Sequence, residues 1–141
     1  MYEYDVSVKW TDGRKGELKV EGKTSLVVAT PPEFKGPEGF YSPEDLFVAA
    51  ELSCFMTTFL AMAEKVKAEF TSYDSSATGT LERDESGFRF TKIVLRPVIT
   101  IEEEVKKPPV EKALNLAKKY CLISRSINSE VVLEPEITVL K

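Results

Sequence analysis

Two cysteines, Cys54 and Cys121, are the residues of this sequence best able to carry out covalent chemistry. A deprotonated thiol is a strong nucleophile, and two thiols within reach of each other can form a reversible disulfide. Their wide spacing differs from a CxxC redox motif, and two thiols are too few for a tetrahedral zinc site. The sequence leaves two interpretations open, a redox pair or two inert thiols packed in a core.

The absence of histidine excludes several classes of enzyme. The chain of 141 residues contains no histidine, and its 19 basic and 23 acidic side chains give a net charge of -4. Without imidazole there is no Ser/His/Asp triad, no Cys/His nucleophile pair and no histidine metal ligand. The charge balance is not that of a nucleic-acid-binding protein. We therefore expect no metal, no cofactor and no nucleic-acid partner.

Cys54 needs a cation if it is to act as a nucleophile. It lies well past the start of an apolar segment, where a helix dipole no longer acts and apolar surroundings favour the neutral thiol. With no histidine, the cation must be an arginine or a lysine. Arg14, in the turn Asp12-Gly13-Arg14-Lys15-Gly16, is the candidate. The alternative is that Arg14 is a solvated residue at a hairpin tip.

Two glutamates share the predicted helix with Cys54. Glu51 precedes Cys54 by three residues, close enough to touch it, and its charge there would oppose a thiolate. The alternative for Glu51 is an ion pair with a lysine or arginine at the edge of the core. Glu44 lies about 15 Å from Cys54 along the axis at 1.5 Å per residue. It could join that site only through a bridging arginine or from a second subunit, and otherwise it complements the helix dipole.

The N-terminal part of the chain has the pattern of a small antiparallel sheet. Apolar residues alternate from Tyr2 to Trp10, which predicts a half-buried strand. Shorter alternations around Leu18 and Leu26 complete a three-stranded meander. Residues 30–41, rich in proline and glycine, predict a long loop of the kind that is often functional.

Ser42 and Pro43 mark the start of a helix, as an N-cap hydroxyl followed by a proline whose missing N–H costs nothing. From Leu46 to Ala63 the only charged residue is Glu51. A membrane span has to be considered for such a stretch. The internal charge and the strand-rich sequence on both sides favour a central helix wrapped by sheet, with no membrane partner.

The C-terminal part predicts a hairpin, a second helix and a last strand. Segments 69–81 and 88–101 are β-rich and joined by a turn, and the apolar phase changes near Thr91, which predicts a β-bulge there. A helix begins near Pro108, and residues 131–139 alternate as one strand. Pro97 and Pro135 suggest edge positions or bulges. The order βββαββαβ predicts an α+β fold in one domain, 1–141.

Several of these segments together resemble one known family. Residues 42–57 resemble the signature helix of the osmotically inducible protein C (OsmC) and organic hydroperoxide resistance (Ohr) family. Residues 120–124 resemble its second cysteine motif. The Gly13-Arg14-x-Gly16 turn, the loop before the helix and the order of elements also match, so the likeness covers nearly the whole chain.

The resemblance implies an OsmC-like fold, in which an antiparallel sheet wraps a central apolar helix, and an intertwined homodimer with sites at the subunit interface. It also implies a thiol-dependent peroxidase that reduces organic hydroperoxides. Cys54 would be the peroxidatic thiol and Cys121 the resolving thiol, with Arg14 holding the thiolate and Glu44 orienting Arg14. An external dithiol, lipoyl-type or thioredoxin-like, would reduce the disulfide. The expected apolar substrate pocket comprises Phe34, Phe47, Phe55 and Phe59.

Two residues depart from the family pattern, Leu122 in place of a proline and Glu51 in place of a small or neutral residue. The first bears on how the second helix presents Cys121, and the second places a charge beside Cys54. Two other functions stay open: a redox sensor or thiol-disulfide protein with little turnover, and a non-enzymatic domain that binds an apolar ligand. The N-terminus lacks the pattern of a secretory signal, which together with the cysteine usage predicts a cytoplasmic protein.

Overall fold

Two β-sheets and two long helices make up the fold, which confirms the predicted α+β class. The structure is a computed structural model, and it is described for residues 1–140. The chain divides into two units, Met1–Phe47 and Val48–Lys141, each with its own sheet.

The N-terminal unit contains the predicted antiparallel meander. Its strands are β1 (Ser7–Asp12), β2 (Lys15–Lys19) and β3 (Leu26–Ala29), in the spatial order β1-β2-β3. The prediction that the first strand is half-buried is wrong, because every residue of β1 is exposed and Trp10 is 72% exposed. The apolar residues that alternate along β1 are therefore exposed in the described part of the chain.

The loop after β3 returns the chain to the sheet before the first helix begins. It contains a short 3-10 turn, Pro32–Phe34, and the Gly36 N–H donates to the Pro31 carbonyl oxygen at 3.1 Å. A Cβ atom on Gly36 would lie 1.5 Å from the Thr30 carbonyl oxygen, so only glycine fits this close approach. The loop therefore has a defined conformation that requires glycine at position 36.

The first helix, α1 (Pro43–Val66), begins where the sequence predicts. The Asp45 N–H donates to Ser42 Oγ at 3.1 Å, and the Ser42 N–H donates to Asp45 Oδ2 at 2.9 Å. This reciprocal pair is a capping box, which satisfies two backbone donors at the start of the helix.

By length and composition, α1 could cross a membrane. An 18-residue window of it has a mean hydropathy of 1.8, and 22% of that window is buried inside the structure. The core helix of a globular domain passes the same test. The stretch also contains Glu51, which is fully buried and accepts hydrogen bonds from protein groups.

The C-terminal unit has a mixed four-stranded sheet. Its hairpin, β4 (Ser72–Asp84) and β5 (Gly87–Ile101), is antiparallel as predicted. The single predicted tail strand is two strands, β6 (Glu130–Leu133) and β7 (Glu136–Val139), and both pair with β5 in parallel. The expectation of a wholly antiparallel sheet is therefore wrong for this edge, since the chain crosses over through the second helix before it returns to β5.

The predicted β-bulge lies at Thr91. Thr80 pairs with Lys92 and Leu81 pairs with Phe90, so Thr91 is the extra residue on β5. The bulge shifts the side-chain phase by one residue and brings the odd-numbered residues of β5 into the core.

The prediction of an edge position for Pro97 is wrong, because β5 is a central strand. Pairing of β5 with β6 ends at Leu95 and pairing with β7 begins at Val98. Pro97 lies in the gap between these two ladders, and Pro135 lies in the matching gap between β6 and β7. Pro97 is in register with Ser75 of β4, but neither the β6 ladder nor the β7 ladder includes it, so a residue without an N–H is tolerated there.

The core of the C-terminal unit joins both helices to β5. The second helix, α2 (Lys107–Tyr120), starts one residue before Pro108, close to the predicted position. In β4, a Cβ atom on Gly79 would lie 2.5 Å from Val48 Cγ2, so glycine lets α1 approach this strand closely. The largest core side chains come from α1, β5 and α2: Phe55, Phe59, Ile93, Leu95, Ile99, Ile101, Val110 and Leu114.

Candidate functional site: a cysteine pair

Cys54 lies in the middle of α1 and is partly exposed. Its sulfur is 3.9 Å from Thr58 Oγ1, and the Thr58 hydroxyl also donates to the Cys54 carbonyl oxygen at 2.8 Å. These contacts fix Thr58 against the sulfur one turn further along the helix. Cys54 therefore combines a defined position with access for a reactant.

Cys121 caps the C-terminal end of α2 and is fully buried. Its N–H donates to the Ala117 carbonyl oxygen at 2.9 Å, and its own carbonyl oxygen accepts from the Arg125 N–H at 3.1 Å. Both backbone polar groups of Cys121 are therefore hydrogen-bonded, which restrains the position of the residue. Leu122, which departs from the family pattern, is 62% exposed and points away from the core.

The two thiols come together in the C-terminal unit. Both cysteines are free, and the Cys54 side chain is close enough to Cys121 to influence its pKa. Burial raises the pKa of Cys121 to about 11, and contact with Cys54 and the charge of Glu51 act in the same direction. Hydrogen bonds from Ser124 oppose this shift. Cys121 is therefore a neutral thiol at physiological pH.

Glu51 belongs to this site through Cys121 and Ser124. The carboxylate is 0% exposed, its Oε2 accepts from Cys121 Sγ at 3.3 Å, and Ser124 Oγ lies 2.7 Å and 2.8 Å from its two oxygens. The ion pair with a lysine or arginine that the sequence suggested for Glu51 is not formed within residues 48–140. Two neutral donors take the place of a cation.

Sequence reasoning missed the part that Ser124 plays. The i,i+3 spacing of Glu51 and Cys54 pointed to a contact on one helix face, but not to a partner far away in the chain. Ser124 is one helical turn beyond Cys121, in a short 3-10 turn, Ser124–Ser126. That spacing, i,i+3 from a cysteine, is the only signal that the sequence offers for it.

Arg14 and Glu44 lie in the N-terminal unit. Arg14 is exposed in the turn between β1 and β2, where its carbonyl oxygen accepts from the Thr30 N–H at 3.2 Å. Glu44 is in the first turn of α1, and its Oε1 is buried without a hydrogen-bond partner among residues 1–140. A buried carboxylate oxygen of this kind requires a donor. The roles expected for Arg14 and Glu44 stay predictions.

The four phenylalanines expected in a substrate pocket fall into two groups. Phe55 and Phe59 are core residues of the C-terminal unit, and the Phe59 ring packs against Tyr73 with centroids 5.1 Å apart. Phe34 and Phe47 are half-buried in the N-terminal unit. Their joint role as a pocket stays a prediction. Among residues 1–140, no three acidic or cysteine side chains are close enough to hold a metal ion.

The family profile for OsmC-like proteins matches residues 36–136 of the chain. The chain belongs to the OsmC-like family. The matched residues include both cysteines, Glu44, Glu51 and Ser124, so the resemblance expected from the sequence is confirmed.

Relatives of the chain within the OsmC-like family support the same assignment. It is 27% identical to the peroxiredoxin OsmC of Escherichia coli, over 89% of this chain and 90% of that protein. It is 25% identical to the uncharacterised protein YmaD of Bacillus subtilis, over 98% of this chain and 95% of that one. An OsmC-like protein of unknown function from Vibrio cholerae has the same fold, with a TM-score of 0.83 and 29% identity over 96% of this chain and 99% of the other.

Proposed function

We propose that this protein is a thiol-dependent peroxidase that reduces organic hydroperoxides to alcohols, with Cys54 and Cys121 as its redox pair. The observation that carries the proposal is the meeting of the two free thiols, one partly exposed and one buried. Relatives named for peroxiredoxin activity point to the same chemistry at the level of the family.

The first step oxidises Cys54. Its thiolate attacks the terminal oxygen of the hydroperoxide, the O–O bond breaks, and the alkoxide leaves as an alcohol after taking up a proton. The sulfur becomes a sulfenic acid. Partial exposure suits Cys54 to this step because the peroxide must reach the sulfur.

The second step closes the disulfide. Cys121 attacks the Cys54 sulfenic acid, a disulfide forms, and the hydroxyl group leaves as water. An external dithiol, lipoyl-type or thioredoxin-like, then reduces the disulfide by thiol exchange. In this account Cys121 protects Cys54 from irreversible oxidation, and the protein works in the reducing cytoplasm.

Arg14 and Glu44 complete the proposed site. The resemblance assigns Arg14 to the Cys54 thiolate and Glu44 to the orientation of Arg14. The Glu44 oxygen is buried without a partner among residues 1–140, and Arg14 is exposed. Both observations support an assembly in which the Glu44 carboxylate forms an ion pair with the Arg14 guanidinium. That assembly is the proposed homodimer.

Exposed apolar residues support the proposed dimer. Along α1, Met56 is 37% and Leu60 is 41% exposed, one turn apart on one face, and Val8 and Trp10 on β1 are more exposed still. Contiguous apolar surfaces on soluble proteins mark interaction sites. A second copy of the chain is the occupant that we propose.

The test is steady-state consumption of cumene hydroperoxide and of hydrogen peroxide, with dihydrolipoamide and thioredoxin as alternative reductants. We expect turnover with the organic substrate and none in Cys54→Ser. Equal activity in Cys54→Ser contradicts the proposal. A reversible disulfide without turnover would instead assign the protein as a redox sensor, and the absence of both would assign it as a binding domain.

A further inference from the structure

The fully buried Glu51 has no place in the chemistry described so far. It lies one turn before Cys54 on α1, and no ammonium or guanidinium forms an ion pair with it among residues 48–140. Its oxygens accept instead from Cys121 Sγ and Ser124 Oγ. Burying a carboxylate is costly, so a carboxylate held only by a thiol and a hydroxyl calls for a chemical reason.

Disulfide closure supplies such a reason. Cys121 must attack as a thiolate, yet burial raises the pKa of its thiol to about 11 and keeps it protonated at neutral pH. The proton must leave while the new bond forms, and Cys121 is 0% exposed, which hinders removal by bulk water. A base inside the site is needed, within hydrogen-bonding reach of the sulfur.

We propose that Glu51 is the general base that deprotonates Cys121 during closure of the disulfide. This inference rests on the proposed peroxidase function and adds a catalytic residue to it. Glu51 Oε2, 3.3 Å from Cys121 Sγ, accepts the thiol proton as the sulfur attacks the Cys54 sulfenic acid. The S–S bond forms and the S–O bond of the sulfenic acid breaks. The departing hydroxide takes the proton from Glu51 and leaves as water, so Cys121 is oxidised and the sulfenic sulfur is reduced.

Ser124 is a positioning residue for this base. Its hydroxyl lies 2.7 Å and 2.8 Å from the two carboxylate oxygens, and the turn that carries it is tied to Cys121 through the hydrogen bond from Arg125. The thiol and the hydroxyl therefore come from one short segment and reach the same carboxylate. Ser124 holds the carboxylate in line with the sulfur, and its own hydrogen bonds to Cys121 lower the pKa of that thiol.

The test separates the two chemical steps in a single turnover with cumene hydroperoxide. Glu51→Gln keeps the size of the side chain and an oxygen acceptor but removes the base. We expect sulfenic acid to form at a rate close to that of the unmodified protein, measured by trapping with dimedone. We expect closure of the disulfide to slow on the order of 100-fold, the usual contribution of a general base.

The pH dependence distinguishes a base from a structural residue. The titratable groups that contact the Cys121 thiol are Cys54 and Glu51. In Glu51→Gln, closure should depend on free thiolate and should recover as the pH rises. Recovery should occur at a pH below the Cys121 pKa of about 11 in the unmodified protein, because the charge of Glu51 contributes to that raised pKa. A structural defect would not be repaired by alkali. Ser124→Ala should slow closure less than Glu51→Gln and keep the pH profile of the unmodified protein.

Glu64→Gln is the matched control, since Glu64 is an exposed glutamate on the same helix, and we expect it to change neither step. A second readout needs no peroxide. A mixed disulfide of Cys54 with thionitrobenzoate is displaced by Cys121, and the release of thionitrobenzoate reports closure directly. If the unmodified protein forms no sulfenic acid, the proposed function fails, while this exchange still tests the base. Equal closure rates in Glu51→Gln and the unmodified protein overturn the inference.

Discussion

At the residue scale, the state of Cys121 determines how the site works. We expect the alkaline titration of thiolate absorbance to contain a component with a pKa of about 11 that is missing in Cys121→Ser. Because the folded pKa lies above the ordinary value of 9.0, this group stabilises the fold below pH 9 and loses that contribution as the pH rises towards 11. A Cys121 thiol that titrates near 9 would contradict the burial of this side chain.

Arg14 gives a second prediction at this scale. Arg14→Ala should slow the reaction of Cys54 with cumene hydroperoxide on the order of tenfold or more, because the cation that holds the attacking sulfur in the proposed site is lost. Stopped-flow measurement of sulfenic acid formation checks it. Lys15→Ala is the matched control, since it removes one positive charge from the same turn, where Lys15 pairs with Asp12 at 3.5 Å. Equal slowing in both variants would mean that the effect is one of net charge.

The sequence draws attention to both cysteines but not to the hydrogen-bonded cluster of Glu51, Cys121 and Ser124. The residue types alone leave a redox pair or two inert core thiols open, and the roles of Cys54 and Cys121 come from the family resemblance. Glu51 and Ser124 are far apart in the chain, and only the packing of α1 against the end of α2 joins them. Local spacing carries no information on such a contact, so the sequence suggests for Glu51 only a contact with Cys54 or an ion pair with a lysine or arginine.

At the scale of the elements, the contribution of the α1 N-cap to the free energy of unfolding can be measured. Ser42→Ala removes the acceptor of the Asp45 N–H and should lower the free energy of unfolding by about 1 kcal/mol. Urea unfolding measures it. The matched control is Ser53→Ala, in which an exposed hydroxyl that donates to the Ala49 carbonyl oxygen is removed from the middle of the same helix. We expect a change of less than about 0.5 kcal/mol there. Equal losses would show that the cap contributes nothing specific.

Elements with local signals were predicted well, and elements set by pairing were not. The signals for the Ser42 N-cap and for the phase change at Thr91 lie in neighbouring residues, and the structure confirms both. The division of the tail into β6 and β7 depends on the pairing of each with β5. That pairing joins residues far apart in sequence, and the periodicity of a single segment does not reveal which strand it pairs with.

At the scale of the whole molecule, the exposed face of α1 tests the proposed dimer. Met56→Glu places a charge on this face and should convert the dimer to a monomer in sedimentation velocity. Val105→Glu is the control, because Val105 is 76% exposed and lies outside α1. An unmodified protein that sediments as a monomer, or a Met56→Glu dimer as stable as the unmodified one, would contradict the proposal.

The most direct test of the central claim is intact and peptide mass analysis after one equivalent of cumene hydroperoxide, without reductant. We predict an intramolecular disulfide between Cys54 and Cys121 and one equivalent of cumyl alcohol, with a Cys54 sulfenic acid, trapped by dimedone, as the end product only in Cys121→Ser. Unmodified cysteines, or a sulfinic or sulfonic acid on Cys54 beside a free Cys121 in the unmodified protein, would contradict it.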